Sequence, residues 1–145
     1  MSNPAPVRAR SGLVMVWLRG AIAVGLAIDA FVHIQLAANY QMAFPGGIGG
    51  GNLFRIQAAA AILAGLYVLI RGSRLSYLLA SVVALSAFAA VVLSVYVQLP
   101  AIGPIPAMYE PIWFFDKALS AVAEGVAGVL ALVGLLLSGR RTKGD

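Results

Sequence analysis

The chain contains no cysteine. That removes disulfides, thiolate metal centres and thiol–disulfide chemistry together, while leaving the compartment open. Charge is nearly as scarce, with ten basic and five acidic side chains among 145 residues. A water-soluble domain carries roughly 25% charged residues to keep its surface solvated; 10% cannot cover a 15.0 kDa globule. A single histidine argues against haem held between two histidines of different helices. Methionine is no better placed as a second ligand, since Met15 lies about five helical turns from His33 and Met42 and Met108 fall in loops.

What the chain has in abundance is apolar sequence, 61% of its residues, with a mean hydropathy of +0.94. Four apolar stretches of membrane-spanning length can be read, at about 12–38, 53–70, 75–99 and 112–138. Arg8 and Arg10 before the first stretch resemble the start of a secretion signal, but the apolar run is longer than a signal core and carries Arg19, Asp29 and His33 inside it. It is therefore taken as a span. The segment from Asn39 to Asn52, with Pro45 and five glycines, reads as a mobile loop or lid; without a lysine or P-loop spacing it is no phosphate cradle. Arg71-Gly72-Ser73-Arg74 reads as a tight basic turn. Pro100, Pro104, Pro106 and Pro111 make the second long loop stiff and extended. Pro111 with Glu110 suits the first turn of the fourth helix.

The basic residues are distributed as membrane topology requires. Eight of the ten (Arg8, Arg10, Arg19, Arg71, Arg74, Arg140, Arg141 and Lys143) belong to the side of the termini and the middle turn, and only Arg55 and Lys117 to the other. This bias places both termini in the cytoplasm and both long loops outside. Trp17 and Trp113 fit the two interfacial belts. The positive charge thus serves orientation and anionic lipid rather than nucleic acid, and no basic run has interleaved aromatics. Small residues at helix-packing spacing, Ala61 with Gly65, Ala80 with Ala84 and Ala87, and Ala121 with Gly125, suit close packing within a bundle or, alternatively, a homodimer seam.

Acidic residues show the opposite bias, with Asp29, Glu110, Asp116 and Glu124 in the outer half and only Asp145 inside. Asp29 and His33 are one turn apart on one helix face. Asp29 and Glu124 each lie about 12 Å below the outer interface, eight residues at the helical rise. A carboxylate at such depth costs about 2.5–3.5 kcal/mol on insertion scales unless paired, solvated or protonated. The two therefore point to a shared polar interior, with Arg55 as a partner for either, Gln57 nearby, Lys117 two turns above Glu124, and Ser120 between those two. Three readings stay open: a ligand pocket, a proton or redox relay, and a salt-bridge network that locks the packing. A metal site of Asp29, His33 and Glu124 is chemically possible, although no ligand spacing specifies it. No nucleophile or phosphate motif marks an enzyme, and no cofactor is identified.

Short motifs along most of the chain carry a resemblance. His33-Ile34-Gln35-Leu36 closes the first span, and Leu53-Phe54-Arg55-Ile56-Gln57-Ala58 opens the second. Leu99-Pro100-Ala101-Ile102-Gly103-Pro104, Glu110-Pro111-Ile112-Trp113 and Leu119-Ser120-Ala121-Val122-Ala123-Glu124 follow. Together they resemble a group of small four-span membrane proteins of high-GC actinobacteria, which brings no known activity. More distantly, the plan is similar to DoxX-like proteins, which implies a link to quinone or thiol redox systems; the lack of cysteine weighs against the thiol branch.

The expectation is thus an all-α protein, one integral domain over residues 1–145, folded as a four-helix transmembrane bundle of the inner (plasma) membrane with both termini cytoplasmic. Asp29, His33, Arg55, Gln57, Lys117 and Glu124 would line an outward-facing pocket. Its occupant would be a small amphipathic ligand, quinone among the alternatives; a membrane-protein partner in the envelope or a second copy of the chain are the other candidates. Because the chain has no native cysteine, single cysteines test the orientation cleanly. Ala101→Cys should react with a membrane-impermeant maleimide on intact cells, and Thr142→Cys only after the cells are opened; the reverse pattern would invert the topology.

Overall fold

A computed structural model describes residues 5–141, with their side chains over 10–140. The side chains of Arg8 and Arg141, and Lys143 and Asp145 altogether, lie outside these. Four helices account for the fold: α1 (Ala5–Ala43), α2 (Gly50–Arg71), α3 (Arg74–Tyr96) and α4 (Phe115–Arg141). Each is long and apolar enough to cross a membrane. Successive helices run antiparallel in a closed ring, α1 on α2, α2 on α3, α3 on α4, and α4 back on α1. The start of α1, the end of α4 and the α2–α3 turn therefore lie at one end of the bundle, the terminal end, and the two long loops at the other.

The two ends are built differently. Towards the terminal end the core is assembled from Ile22, Leu26, Ala61, Val68, Tyr77, Ala80, Ala84, Ala127 and Ala131, all at most 1% exposed. Small residues dominate because lipid gives no hydrophobic drive for helix association, so contact depends on close backbone approach. The alanines and glycines singled out in the sequence serve this purpose: Ala61, Gly65, Ala80, Ala84, Ala87 and Ala121 are buried within the single chain, and Gly125 faces the ring of Phe88. They are not an exposed dimer seam. Arg19 binds this end together by donating from Nε to the Val68 carbonyl at 2.9 Å and from Nη2 to the Leu69 carbonyl, at the C-terminus of α2. Gly72 ends that helix in the left-handed conformation, φ 54°, and Ser73 caps α3 by accepting from the Ser76 amide.

At the loop end the glycine cluster does not behave as a lid. Helix α1 runs on to Ala43, past the apolar stretch that ends at Ala38, and α2 already begins at Gly50. The connection is a short turn ending at Gly49, which is buried together with Gly50 and Gly51 of the first turn of α2. A Cβ on Gly51 would come within 2.2 Å of the Ala37 carbonyl oxygen; glycine here permits contact between two helix backbones. The proline-rich segment also differs from a plain extended loop. Ile102 and Ile105 exchange backbone hydrogen bonds of 3.0 Å, and Leu99 pairs with Met108, so the segment doubles back on itself. Its Pro104 carbonyl accepts from the Ile48 amide at 2.9 Å, tying the two long loops together.

Helix α4 starts at Phe115, with the Phe114 carbonyl accepting from the Ala118 amide. Pro111 is consequently outside the helix, and the reading of Glu110-Pro111 as its first turn is corrected: Glu110 is drawn away to Lys117 and Tyr40. Trp17 and Trp113 are exposed near opposite ends of the bundle.

The glycine contacts give a paired test. Gly51→Ala should destabilise the bundle by about 1–3 kcal/mol through overpacking. Gly20→Ala, where an added Cβ meets nothing within 4 Å, should be neutral or stabilise by up to about 1 kcal/mol. Thermal unfolding in detergent measures both.

Candidate functional site: a buried polar cluster under an apolar cavity

Asp29 and His33 occupy one face of α1, a turn apart, and point into the bundle. His33 Nδ1 lies 2.7 Å from Asp29 Oδ1 and 2.9 Å from the Asp29 carbonyl oxygen. From α2, Gln57 Nε2 donates to Asp29 Oδ2 at 2.9 Å. From α4, Ser120 Oγ donates to Glu124 Oε1 at 2.7 Å and stands 3.4 Å from Asp29 Oδ1. Glu124 Oε1 is 4.0 Å from His33 Nδ1. Three helices thus converge on one cluster, in which Asp29 and Glu124 are 0% exposed and His33 6%.

Two features of this cluster stand out. No lysine or arginine among the described residues forms an ion pair with Asp29 or Glu124, so His33 is the one basic group in contact with two carboxyls. Glu124 Oε2 is buried and accepts no hydrogen bond. Buried polar atoms are nearly always partnered, and an orphan of this kind asks for an explanation.

A second polar group lies nearer the loops. Lys117, 5% exposed, donates to the Glu110 carboxylate at 3.1 Å and to the Glu110 carbonyl at 2.9 Å. The Tyr40 hydroxyl donates to the same carboxylate. The Tyr40 ring stacks on Phe54 with centroids 4.1 Å apart, and Phe54 packs against the His33 ring at 4.7 Å. An aromatic wall therefore joins the upper ion pair to the lower cluster.

Between them is a cavity of about 410 Å³. Its walls are mostly apolar, from Leu36, Phe54, Ala87 and Val91, and the loop hairpin covers it with Ile105 and Pro106. His33, Gln57, Ser120 and Lys117 face it from one side. Ser86 and Ala90 of α3 and Pro100, Ile102 and Ile105 of the loop also line it and are exposed, and α2 and α3 are the neighbouring helices that pack least on one another.

Of the six residues expected at the site, five are here. Asp29, His33, Gln57 and Glu124 form the cluster or border it, and Lys117 stands at the cavity's upper rim. Arg55 does not take part. It is exposed on the outside of α2 and donates from Nη1 to Asn52 Oδ1 at 2.9 Å, so its assignment as the partner of Asp29 or Glu124 is corrected. Two residues along a helix is a rotation of about 200°, which turns Arg55 outwards when Gln57 faces in. Sequence reasoning missed Tyr40 and Phe54 and read Glu110 as a helix-start residue, not as the partner of Lys117 and Tyr40. No local signal could have joined Tyr40 to Glu110, which lie 70 positions apart.

Fold and site define a multi-pass membrane four-helix bundle with a polar cluster inside its loop-end half. No protein-family model, curated protein or solved structure matches the chain.

The upper ion pair yields a prediction of its own. Lys117→Met should lower stability by about 1–3 kcal/mol, because it leaves the Glu110 carboxylate with only the Tyr40 hydroxyl in a part-buried position. Adding Glu110→Gln should recover much of that loss. A double-mutant cycle on thermal or denaturant unfolding measures the coupling.

Proposed function

We propose that this protein binds a small amphipathic molecule in the cavity at the loop end of its bundle. The apolar body of the ligand lies against the aromatic and aliphatic walls, and its polar group meets His33, Gln57, Ser120 and Lys117. With eight of ten basic residues on the side of the termini, the cavity faces the outer leaflet of the plasma membrane. Ligands reach it sideways from the lipid, between α2 and α3.

The observation that carries this reading is the composition of the cavity: a mainly apolar space with a few convergent polar groups on one side, of a volume typical of small-molecule sites. A packing lock needs no such space beside it. Quinone is the narrower alternative within the same class. It is favoured by the Asp29–His33 pair beside the cavity, which can hold and pass a proton next to a bound carbonyl. The resemblance to DoxX-like proteins agrees with that alternative and adds no residue to it.

Native mass spectrometry of the protein, gently extracted from its own host's membrane, tests the reading. A bound mass of about a few hundred daltons is expected, in keeping with the cavity volume. It should be absent from Ala90→Trp, which fills the opening and keeps near-native thermal stability, and depleted in Gln57→Leu, which also loses about 1–3 kcal/mol because Asp29 Oδ2 is left without its donor. A quinone mass would select the redox alternative. A bare protein, or heterogeneous phospholipid unchanged by Ala90→Trp, would refute the proposal.

A further inference from the structure

We infer that Asp29, His33 and Glu124 form a binding site for one divalent transition-metal ion at the inner end of the cavity. This goes beyond the ligand reading and does not depend on it. The three residues can each present one ligand atom such that all lie within 4.8 Å of one another, and all three are buried. Two ligands come from i and i+4 of one helix, the spacing that puts both side chains over the same point. The third comes from α4, which packs directly on α1.

Charge favours an ion here. No lysine or arginine among the described residues forms an ion pair with either carboxyl, so a cation entering between them displaces no such partner. A divalent cation gives the buried Glu124 Oε2 a partner that no described residue provides. The surroundings are also those of a metal centre. Gln57 holds Asp29 through Oδ2, which turns Oδ1 towards His33 Nδ1 at 2.7 Å, and Ser120 steadies the Glu124 carboxylate. Ligating carboxylates are commonly fixed by such hydrogen bonds. One imidazole with two carboxylates suits zinc, manganese or iron(II) better than magnesium or calcium, which prefer all-oxygen sites. Three protein ligands leave a coordination position for water or for a group entering from the cavity.

The test uses full-length protein without a histidine tag, so that His33 is the one imidazole in the sample. After chelator treatment in detergent the protein is titrated with Zn2+ alone, and bound metal is counted by elemental analysis after dialysis. About one Zn2+ per chain is expected, with a rise in thermal stability that saturates at the same ratio. Glu124→Gln and His33→Gln should each weaken binding by at least about tenfold, Gln57→Leu by about 10- to 100-fold, and Arg55→Gln not at all. Zn2+ should also shift the isotope-labelled ring nitrogens of His33 in the unaltered protein, a readout that survives if a variant fails to fold. The inference is overturned if stoichiometric Zn2+ is not retained, if retention is the same in Glu124→Gln and His33→Gln, or if the His33 nitrogens do not move. Absence of any bound ligand from the unaltered protein, with Zn2+ binding intact, would refute the previous proposal and leave this one standing.

Discussion

Asp29, His33, Gln57, Ser120 and Glu124 have largely one another to satisfy them. In a bundle surrounded by hydrocarbon no bulk water reaches a buried carboxyl, and each polar atom must find a protein partner or remain a cost to folding. The contacts at 2.7–2.9 Å among these side chains meet most of that demand. They also fix how α1, α2 and α4 are rotated about their axes at the loop end: a helix turned by one residue would withdraw its polar side chain from the group and leave the others unpaired.

That requirement explains the division of the molecule into two halves. Around Ile22, Ala61, Ala80 and Ala131 the helices pack into a buried core. Towards the loops, α1, α2 and α4 meet through the polar cluster, and all four helices line the cavity beside it. The loop hairpin, tied down by the Ile48–Pro104 hydrogen bond, and the Tyr40–Glu110–Lys117 group cover its upper side. The stable half thus acts as a base on which a less filled half is held open. In the reading proposed above, binding takes place in that less filled half, and the polar cluster is retained for what it holds rather than for the stability it adds.

The fold was largely legible because hydropathy in a membrane protein reports directly on spans, and the helices match the four apolar stretches apart from their ends. The ends were misread where one residue type carries two meanings. Glycine at 49–51 signals a flexible loop in a window of sequence, yet at Gly51 it serves a helix–helix contact with Ala37 that no local pattern announces. Proline at 111 is compatible with a first helical turn, but the Glu110 interactions with Lys117 and Tyr40 hold the chain out of the helix until Phe115. Within the site, Asp29, His33 and Glu124 could be grouped because their spacing and depth follow from helical rise alone. Arg55 was misplaced because apolarity on every side of a membrane helix hides its phase: with lipid outside and core inside, hydrophobic periodicity does not tell which face looks inwards. Tyr40 and Phe54 look like ordinary apolar positions until the tertiary fold sets them between His33 and Glu110.

The central claim is that the polar cluster orients the helices around a site and is not the source of the bundle's stability. Its most direct test is to replace the cluster with apolar groups of similar size and measure stability without metal or ligand. The variant carries Asp29→Val, His33→Leu, Gln57→Met and Glu124→Met together. Buried charge networks replaced in this way are often neutral or stabilising by about 1–4 kcal/mol. The account expects the quadruple variant to unfold at the same temperature as the unaltered metal-free protein or higher, with ligand and metal binding abolished. A bundle that loses several kcal/mol or fails to assemble would contradict it and make the cluster the packing lock.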